Sequence, residues 1–189
     1  MKTLVEIKGL TKTYPGVQAL DDVSFSIKEN EVHALVGENG AGKSTVIKIL
    51  AGVVQPDGGT ISIDEEVQRF HHPLDALKKG VAVTYQDLSL FPNLSVAENI
   101  GISRVLEEGG VTVDWNEMHR IAKEALEELN VEMDLDRKLR YLSIGSQNLV
   151  AIARAMVHDA KVLILDEPTA SLAREDIDAL FKIINMLKD

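Results

Sequence analysis

Residues 37–44 read Gly37-Glu38-Asn39-Gly40-Ala41-Gly42-Lys43-Ser44. A glycine, four further residues, a second glycine and then lysine and serine form the pattern of a phosphate-binding P-loop. Glycines let successive backbone N–H groups turn toward a phosphate with no Cβ in the way, and a helix beginning near Lys43 adds its positive end. The stretch therefore predicts a site for the phosphates of a nucleotide such as ATP.

The polar side chains that end this stretch have distinct expected roles. Lys43 reaches the β- and γ-phosphates, the Ser44 hydroxyl ligates Mg²⁺, and Thr45 faces the α-phosphate. Residues 31–36 are almost continuously apolar, which is typical of a buried parallel strand, and residues 44–50 have helical spacing. An ordinary glycine-rich turn is the alternative interpretation, but a position between a strand and a helix favours the phosphate loop.

A second motif ends the most apolar run of the chain with two acids: Val162-Leu163-Ile164-Leu165-Asp166-Glu167. An acid at the carboxyl end of a strand beside a P-loop can hold Mg²⁺ through water, which is the expected role of Asp166. Glu167 is the candidate general base that polarises the attacking water. The alternative is a pair of solvated acids at a strand end, with Pro168 stopping the strand.

Other segments of the sequence indicate an α/β fold. Alternating residues over 5–10 and 23–27, separated by the turn residues 14–16, predict antiparallel strands. Further predicted elements are strands over 60–63 and 81–85, a helical insert within 95–130, and helices over 143–158 and 174–187. We therefore expect a P-loop fold with a mixed sheet core, an N-terminal antiparallel β subdomain and a helical insert.

Composition narrows the classes of protein. The 189 residues are 45% hydrophobic and 26% charged, with a formal net charge of −10 and no cysteine. The negative charge repels a phosphate backbone, so nucleic acid is not an expected partner. No apolar run approaches the roughly 18 residues of a membrane span, and residues 1–7 lack the apolar core of a signal peptide. Without cysteine, disulfides and thiolate metal sites are excluded.

Together these motifs resemble the ATP-binding subunits of ABC transporters, and further residues along the chain carry the resemblance. It implies that Tyr14 stacks on adenine. It also implies that Gln86 is the glutamine that senses Mg²⁺ and the attacking water and links the site to the helical insert. Residues 142–147, Leu142-Ser143-Ile144-Gly145-Ser146-Gln147, are similar to the family signature, which usually has two glycines before the glutamine.

The signature has an expected structural basis. Ser143 is placed to cap a helix, and Gly145 lets a phosphate approach the backbone amides. In the family this helix contacts the ATP held by a second, facing module. The chain departs from the usual pattern at Ile144 and Ser146, and it has Ala173 where the family often has aspartate.

Several stretches resemble monosaccharide importers of the ribose, galactose and xylose type: residues 14–20, 94–100 and 113–115, and Ile144. This resemblance implies an N-terminal module that ends before the switch histidine of the family. None of the five histidines occupies that place, and each is expected to be structural or solvated.

The resemblance also implies an organisation and partners. Residues 1–189 form an ABC ATP-binding domain, incomplete at its C-terminus, with a core of 1–86 and 159–189 and a helical subdomain of 87–158. The expected partners are membrane permease subunits, a second ATP-binding module in cis or as a dimer and, indirectly, a solute-binding protein. The expected location is the cytoplasmic face of the cell membrane, as a peripheral protein.

Four alternatives remain open at this stage. The chain could bind ATP without hydrolysing it, serve an importer of a non-sugar solute, or act as an interaction fragment whose segment around 90–102 docks on a permease without nucleotide. A P-loop GTPase is the fourth. It is disfavoured because the sequence contains no Asn-Lys-x-Asp guanine motif.

Overall fold

The computed structural model of the protein describes residues 2–85, 88–107, 114–170 and 172–188. The chain divides into two compact units, Met1–Val81 with Lys188–Asp189, and Ala82–Leu187. Within the described ranges, no helix has the length and apolar character that a membrane crossing requires.

The first unit is built on a four-stranded sheet with the order β2-β1-β3-β4, in which every pair of neighbours is antiparallel. The strands are β1 (Thr3–Tyr14), β2 (Val17–Lys28), β3 (Gly58–Ile63) and β4 (Glu66–Gln68). Tyr14 pairs with Val17 across the turn that joins the first two strands. The predicted antiparallel subdomain and its turn at 14–16 are confirmed.

Alternation along β1 gives the first unit its core. Val5, Ile7 and Leu10 are all buried, and an irregularity in the strand register between Ile7 and Leu10 keeps Leu10 on the inner face despite its odd spacing. Helices α1 (Lys43–Leu50) and α2 (Pro73–Lys78) complete this unit. Helix α1 buries four apolar side chains: Val46, Ile47, Ile49 and Leu50. The predicted helix over 44–50 is confirmed.

The predicted strand over 31–36 is wrong. These residues have no regular secondary structure, and Val32, Leu35 and Val36 are 57%, 41% and 87% exposed. A strand is stabilised by hydrogen bonds to a neighbouring strand, and this segment belongs to neither described sheet. An apolar run alone therefore did not specify a strand here.

The second unit is mainly helical. Its elements are β5 (Val81–Thr84), α3 (Val96–Glu107), α4 (Trp115–Glu128), a 3-10 helix (Leu139–Tyr141), α5 (Ile144–Met156), β6 (Val162–Leu165) and α6 (Arg174–Lys188). Helices α3, α4 and α5 pack around one apolar cluster that includes Ile100, Ala122 and Val150. The helical insert and the helices predicted around 143–158 and 174–187 are confirmed.

Strand β6 differs from expectation in its burial. It pairs with β5 in a two-stranded sheet, and all four of its side chains are half-buried rather than buried. With one neighbouring strand in the described sheet, part of its apolar surface stays accessible. The sequence predicted the strand and its ending in two acids, but not this exposure.

Candidate functional site

The glycine-rich loop at 37–42 opens directly into α1. Gly42 is the N-cap of the helix and has a φ of 84°, in the left-handed region that glycine adopts without a steric penalty. As a glycine it has no side chain to accept hydrogen bonds from the N–H groups of the first turn. The positive end of α1 therefore lies in an exposed loop, as an anion site requires.

Lys43 carries the positive charge of this loop. Its Nζ donates hydrogen bonds to the carbonyl oxygens of Gly37 at 2.6 Å and Glu38 at 2.9 Å. The ammonium group thus lies across the loop, held by two neutral acceptors. Two carbonyls stabilise an ammonium less than an anionic phosphate does, so the group can exchange these contacts for a ligand.

The loop is packed against the β-hairpin of the first unit. A Cβ on Gly42 would overlap the carbonyl oxygen of Ala19 and lie 2.7 Å from Cδ2 of Leu20. Tyr14 lies opposite Val17, two residues along β2 from Ala19, and its side chain is 36% exposed. At a rise of roughly 3.3 Å per residue, this end of the hairpin lies two residues, about 7 Å, along β2 from the position that contacts Gly42.

The remaining residues of the predicted nucleotide loop are accessible. Glu38, Asn39, Gly40, Ala41 and Ser44 are exposed, and Thr45 is half-buried with its N–H bonded to the Gly42 carbonyl. The Ser44 hydroxyl is thus free to meet solvent or a ligand.

The acidic motif at the end of β6 lies beside β5. The Asp166 N–H donates to the Thr84 carbonyl oxygen at 2.9 Å, and the Asp166 side chain is half-buried. Glu167 is exposed and has a φ of 49°, an uncommon backbone conformation for a residue with a side chain. Such strain tends to occur where the direction of a side chain matters for function.

Tyr85 is a neighbour of this motif that sequence reasoning missed. Burial, and to a lesser degree the Asp166 carboxylate, raise the pKa of the Tyr85 phenol. The phenol is thus a protonated, partly buried neighbour of the Asp166 carboxylate. Its position directly before Gln86 was the one available signal.

A cavity of about 300 Å³ opens at the end of β6 within the second unit. Its polar lining includes Tyr85, Gln147, Asn148, Asp166 and Glu167, and its apolar lining includes Leu88, Leu90, Pro92 and Ile144. The structure thus brings the acidic motif and the first turn of the signature helix to one cavity. Gln86, the predicted sensor of Mg²⁺ and water, lies outside the described residues.

The signature forms a capped helix. Ser143 is the N-cap of α5, and its Oγ accepts a hydrogen bond from the Ser146 N–H at 3.1 Å. Gly145 is buried, and a Cβ at this position would overlap the carboxylate of Asp176 from α6. A phosphate approaching this turn of the helix would meet that carboxylate, and the two groups would repel each other because they carry like charge.

The histidines are engaged elsewhere. His33 stacks on Phe25 with ring centroids 5.5 Å apart, His119 contacts Asp136 at 2.8 Å, and His158 contacts Ser103 at 2.9 Å. The amides of His71 and His72 donate to Asp75. Among the described residues, moreover, no group of three or more His, Cys, Asp or Glu side chains could hold a metal ion.

Comparison with known proteins agrees with this geometry. The sequence model of the ABC transporter family matches residues 20–170. The fructose import ATP-binding protein of Bifidobacterium longum is 46% identical over 187 residues, covering 98% of this chain and 36% of its own length. The ribose import ATP-binding protein of Rubrobacter xylanophilus is 44% identical over 189 residues, covering 100% of this chain and 38% of its own length. The chain thus spans little more than a third of these curated relatives.

Solved structures give the same result. An ATP-binding cassette of an ABC transporter in its ADP conformation superposes with a TM-score of 0.88 at 25% identity, covering 100% of this chain and 78% of the other. The CbiO1 protein of Clostridium perfringens, part of an ABC transporter complex, gives 0.83 at 28% identity, covering 100% and 74%. The family match, the relatives and the superpositions together show that the chain belongs to the ABC transporter family and has the fold of its ATP-binding cassettes.

Proposed function

We propose that the chain binds ATP with Mg²⁺ and hydrolyses the ATP, as the nucleotide-binding module of an ABC importer. The observation that carries the proposal is the exposed glycine loop at the positive end of α1, with the Lys43 ammonium lying across it. A polyphosphate matches this arrangement in both charge and hydrogen bonding.

Each residue of the loop has a proposed role. The amides of Gly37, Glu38, Asn39, Gly40, Ala41 and Gly42 cradle the phosphates. Lys43 pairs with the β- and γ-phosphates, Thr45 faces the α-phosphate, and Tyr14 stacks on adenine. The closeness of the hairpin end to Gly42 supports the role of Tyr14.

The proposed metal donors fit Mg²⁺ in their chemistry. Ser44 supplies a hydroxyl, Asp166 a carboxylate and Gln86 an amide oxygen, and hard oxygen donors are what Mg²⁺ prefers. When bound there, the ion would neutralise charge on the phosphates. Glu167 then acts as the general base toward the attacking water, and Gln86 helps to orient that water.

The signature helix is proposed to act on a second ATP-binding module. Ser143 and Gly145 at the beginning of α5 contact the ATP of a facing module, in cis or in a dimer. The Asp176 carboxylate beside Gly145 would oppose this contact by charge repulsion.

The cargo and partners follow from the named relatives. Since these are import ATP-binding proteins for ribose and fructose, we propose a monosaccharide as the solute. Permease subunits in the membrane, and indirectly a solute-binding protein, complete the system, with this chain at the cytoplasmic face. Functionally, residues 1–86 and 159–189 form the core and residues 87–158 the helical part that meets the permease.

Two measurements on the purified chain test the proposal. ATP with Mg²⁺ at about 100 times its dissociation constant should stabilise the fold by about 2.7 kcal/mol, which thermal denaturation detects. The variant Glu167→Gln should lower the rate of phosphate release by ~10²- to 10⁴-fold and leave ATP binding intact. Glu132→Gln, an exposed acid on the second unit, is the matched control.

The outcomes separate the alternatives. If ATP stabilises the fold but no phosphate release depends on Glu167, the chain is a binding module. No stabilisation by ATP overturns the proposal and leaves an interaction fragment. Binding of GTP much tighter than that of ATP favours the GTPase alternative; equal binding does not, because an aromatic ring stacks on guanine as well as on adenine. If cells that lack the protein take up monosaccharides at an unchanged rate, only the sugar assignment is overturned.

A further inference from the structure

Arg154 is a half-buried cation in the otherwise apolar third turn of α5. Its Nη1 donates to the Ser89 carbonyl oxygen at 2.9 Å and its Nη2 to the Leu88 carbonyl oxygen at 3.0 Å. Burial lowers the pKa of this guanidinium. A cation withdrawn from water in this way is tolerated only when fixed acceptors replace its hydration, and two consecutive carbonyls do so here.

The segment that Arg154 holds is strained and is fixed again at its far end. Ser89 has a φ of 49°, in the left-handed region that is costly for a residue with a side chain. Two residues later, the Phe91 N–H donates to Oδ1 of the fully buried Asn99 at 2.8 Å, and Asn99 Nδ2 donates back to the Phe91 carbonyl at 3.0 Å. The conformation of residues 88–91 is therefore determined from α5 on one side and α3 on the other.

This segment forms one wall of the cavity at the end of β6. Leu88, Leu90 and Pro92 line that cavity, and so do Asp166 and Glu167. The first turn of α5 lines it as well, through Ile144, Gln147 and Asn148. A shift of α5 along its axis would therefore move both the helix N-terminus and, through Arg154, the wall beside the acids.

We propose that Arg154 is a positioning residue that couples helix α5 to the Leu88–Leu90 wall and so sets the surroundings of Glu167. The inference rests on the proposed function, because it assumes that Glu167 is the base for ATP hydrolysis. The guanidinium is suited to this role because its planar fork reaches two adjacent carbonyls at once. An ammonium donates from a single nitrogen, so it would have to reach both carbonyls from one point and not from two nitrogens held in a planar fork.

Limited proteolysis without nucleotide tests the clamp. Chymotrypsin cleaves after leucine and phenylalanine, so release of the segment should raise the rate of cutting after Leu88, Leu90 and Phe91. In Arg154→Met we expect this rate to rise ~10-fold, as for a loop that opens more often, with Arg154→Lys intermediate. Cutting after the exposed Tyr141 is the internal reference, and it should not change.

Steady-state ATPase kinetics test the consequence. Misplacing the wall should lower kcat in Arg154→Met by ~10- to 100-fold with little change in KM, because the phosphate loop lies on other residues. Arg137→Met is the matched control, since Arg137 is an exposed arginine that also donates to a backbone carbonyl, that of Tyr141. It should retain the kcat of the unaltered chain.

Each contrary result has a defined meaning. Unchanged cutting at 88–91 overturns the clamp, and equal acceleration at 88–91 and at Tyr141 reduces Arg154 to a general structural residue. Faster cutting at 88–91 with normal kcat overturns the coupling to catalysis. An unaltered chain without ATPase activity contradicts the proposed function instead, and the proteolysis still decides the clamp.

Discussion

Two helix N-termini were expected to meet phosphate, and they are built differently. Helix α1 begins at Gly42, in an exposed loop crossed by the Lys43 ammonium. Helix α5 begins at Ser143, whose hydroxyl already accepts a hydrogen bond from the Ser146 N–H. The carboxylate of Asp176 lies against Gly145 in the first turn of α5.

The difference separates two ways to satisfy the positive end of a helix. At α1 the N-cap has no side chain and a cation lies across the loop, so an anion binds when the Lys43 ammonium exchanges its two carbonyl contacts for it. At α5 the Ser143 hydroxyl already caps the helix, and the Asp176 carboxylate lies against its first turn. We expect α1 to bind phosphate more readily than α5, where the charge of Asp176 opposes an anion.

The largest effect should come from Gly42→Ala. The new methyl group would overlap the Ala19 carbonyl, and the alanine backbone would have to adopt a left-handed φ. The free energy of unfolding should therefore fall by about 2–5 kcal/mol, and ATP binding should be lost. Urea denaturation and nucleotide titration measure the two effects. Gly16→Ala is the control, because Gly16 has a φ of 82° with nothing within 4 Å of its Cβ position. Equal losses in both variants would rule out the close packing of Gly42.

Lys43→Met should act on binding rather than on the fold. Loss of a charge-assisted bond to phosphate costs about 1.5–3 kcal/mol, which corresponds to a ~10- to 100-fold higher dissociation constant for ATP. Isothermal titration with ATP and Mg²⁺ measures it. Lys48→Met removes an exposed lysine from the last turn of the same helix, and its dissociation constant should stay within a factor of about 2. A similar loss in both variants would mean that only the net charge of α1 matters.

The phosphate loop before α1 and the Ser143 cap of α5 were predictable because their chemistry is local. The glycine spacing, Lys43 and the helix that follows lie within a few residues of one another, as do Ser143 and the amide that it caps. Local backbone requirements leave a direct pattern in the sequence. The acidic ending of β6 was predictable for the same reason.

The missed features depend on distant contacts. Asp176 meets Gly145 from 31 positions further along the chain, and Arg154 meets Ser89 across 65 positions. No periodicity encodes such pairs. The failed strand at 31–36 has the same origin, since strand formation depends on a partner elsewhere in the chain and not on its own apolar residues.

Ser143→Ala tests the hydroxyl at α5. Loss of an N-cap side chain costs about 1 kcal/mol, which should appear as a lower urea midpoint for the second unit. Ser143→Gly is the comparison, because glycine is a tolerated N-cap residue. This variant should lose roughly a few tenths of a kcal/mol of unfolding free energy relative to serine. If alanine and glycine lose the same free energy, the hydroxyl is not what stabilises this helix end.

Asp176→Asn should have the smallest effect and bears most directly on the contrast between the two helices. Asp176 lies in the first turn of α6 and also against the first turn of α5, so its charge interacts with two helix dipoles. Removing the charge should lower the free energy of unfolding by about 0.3–1 kcal/mol at low ionic strength, and less in 1 M salt.

Glu175→Gln separates these two contributions, because Glu175 lies in the same first turn of α6 and is exposed. Urea denaturation of both variants at two salt concentrations gives the difference. If Asp176→Asn lowers the free energy of unfolding more than Glu175→Gln does, the difference measures the contribution from the contact of Asp176 with α5. Equal losses would mean that Asp176 acts on α6 alone, and then the Ser143 cap would be the remaining difference between the N-terminus of α5 and that of α1.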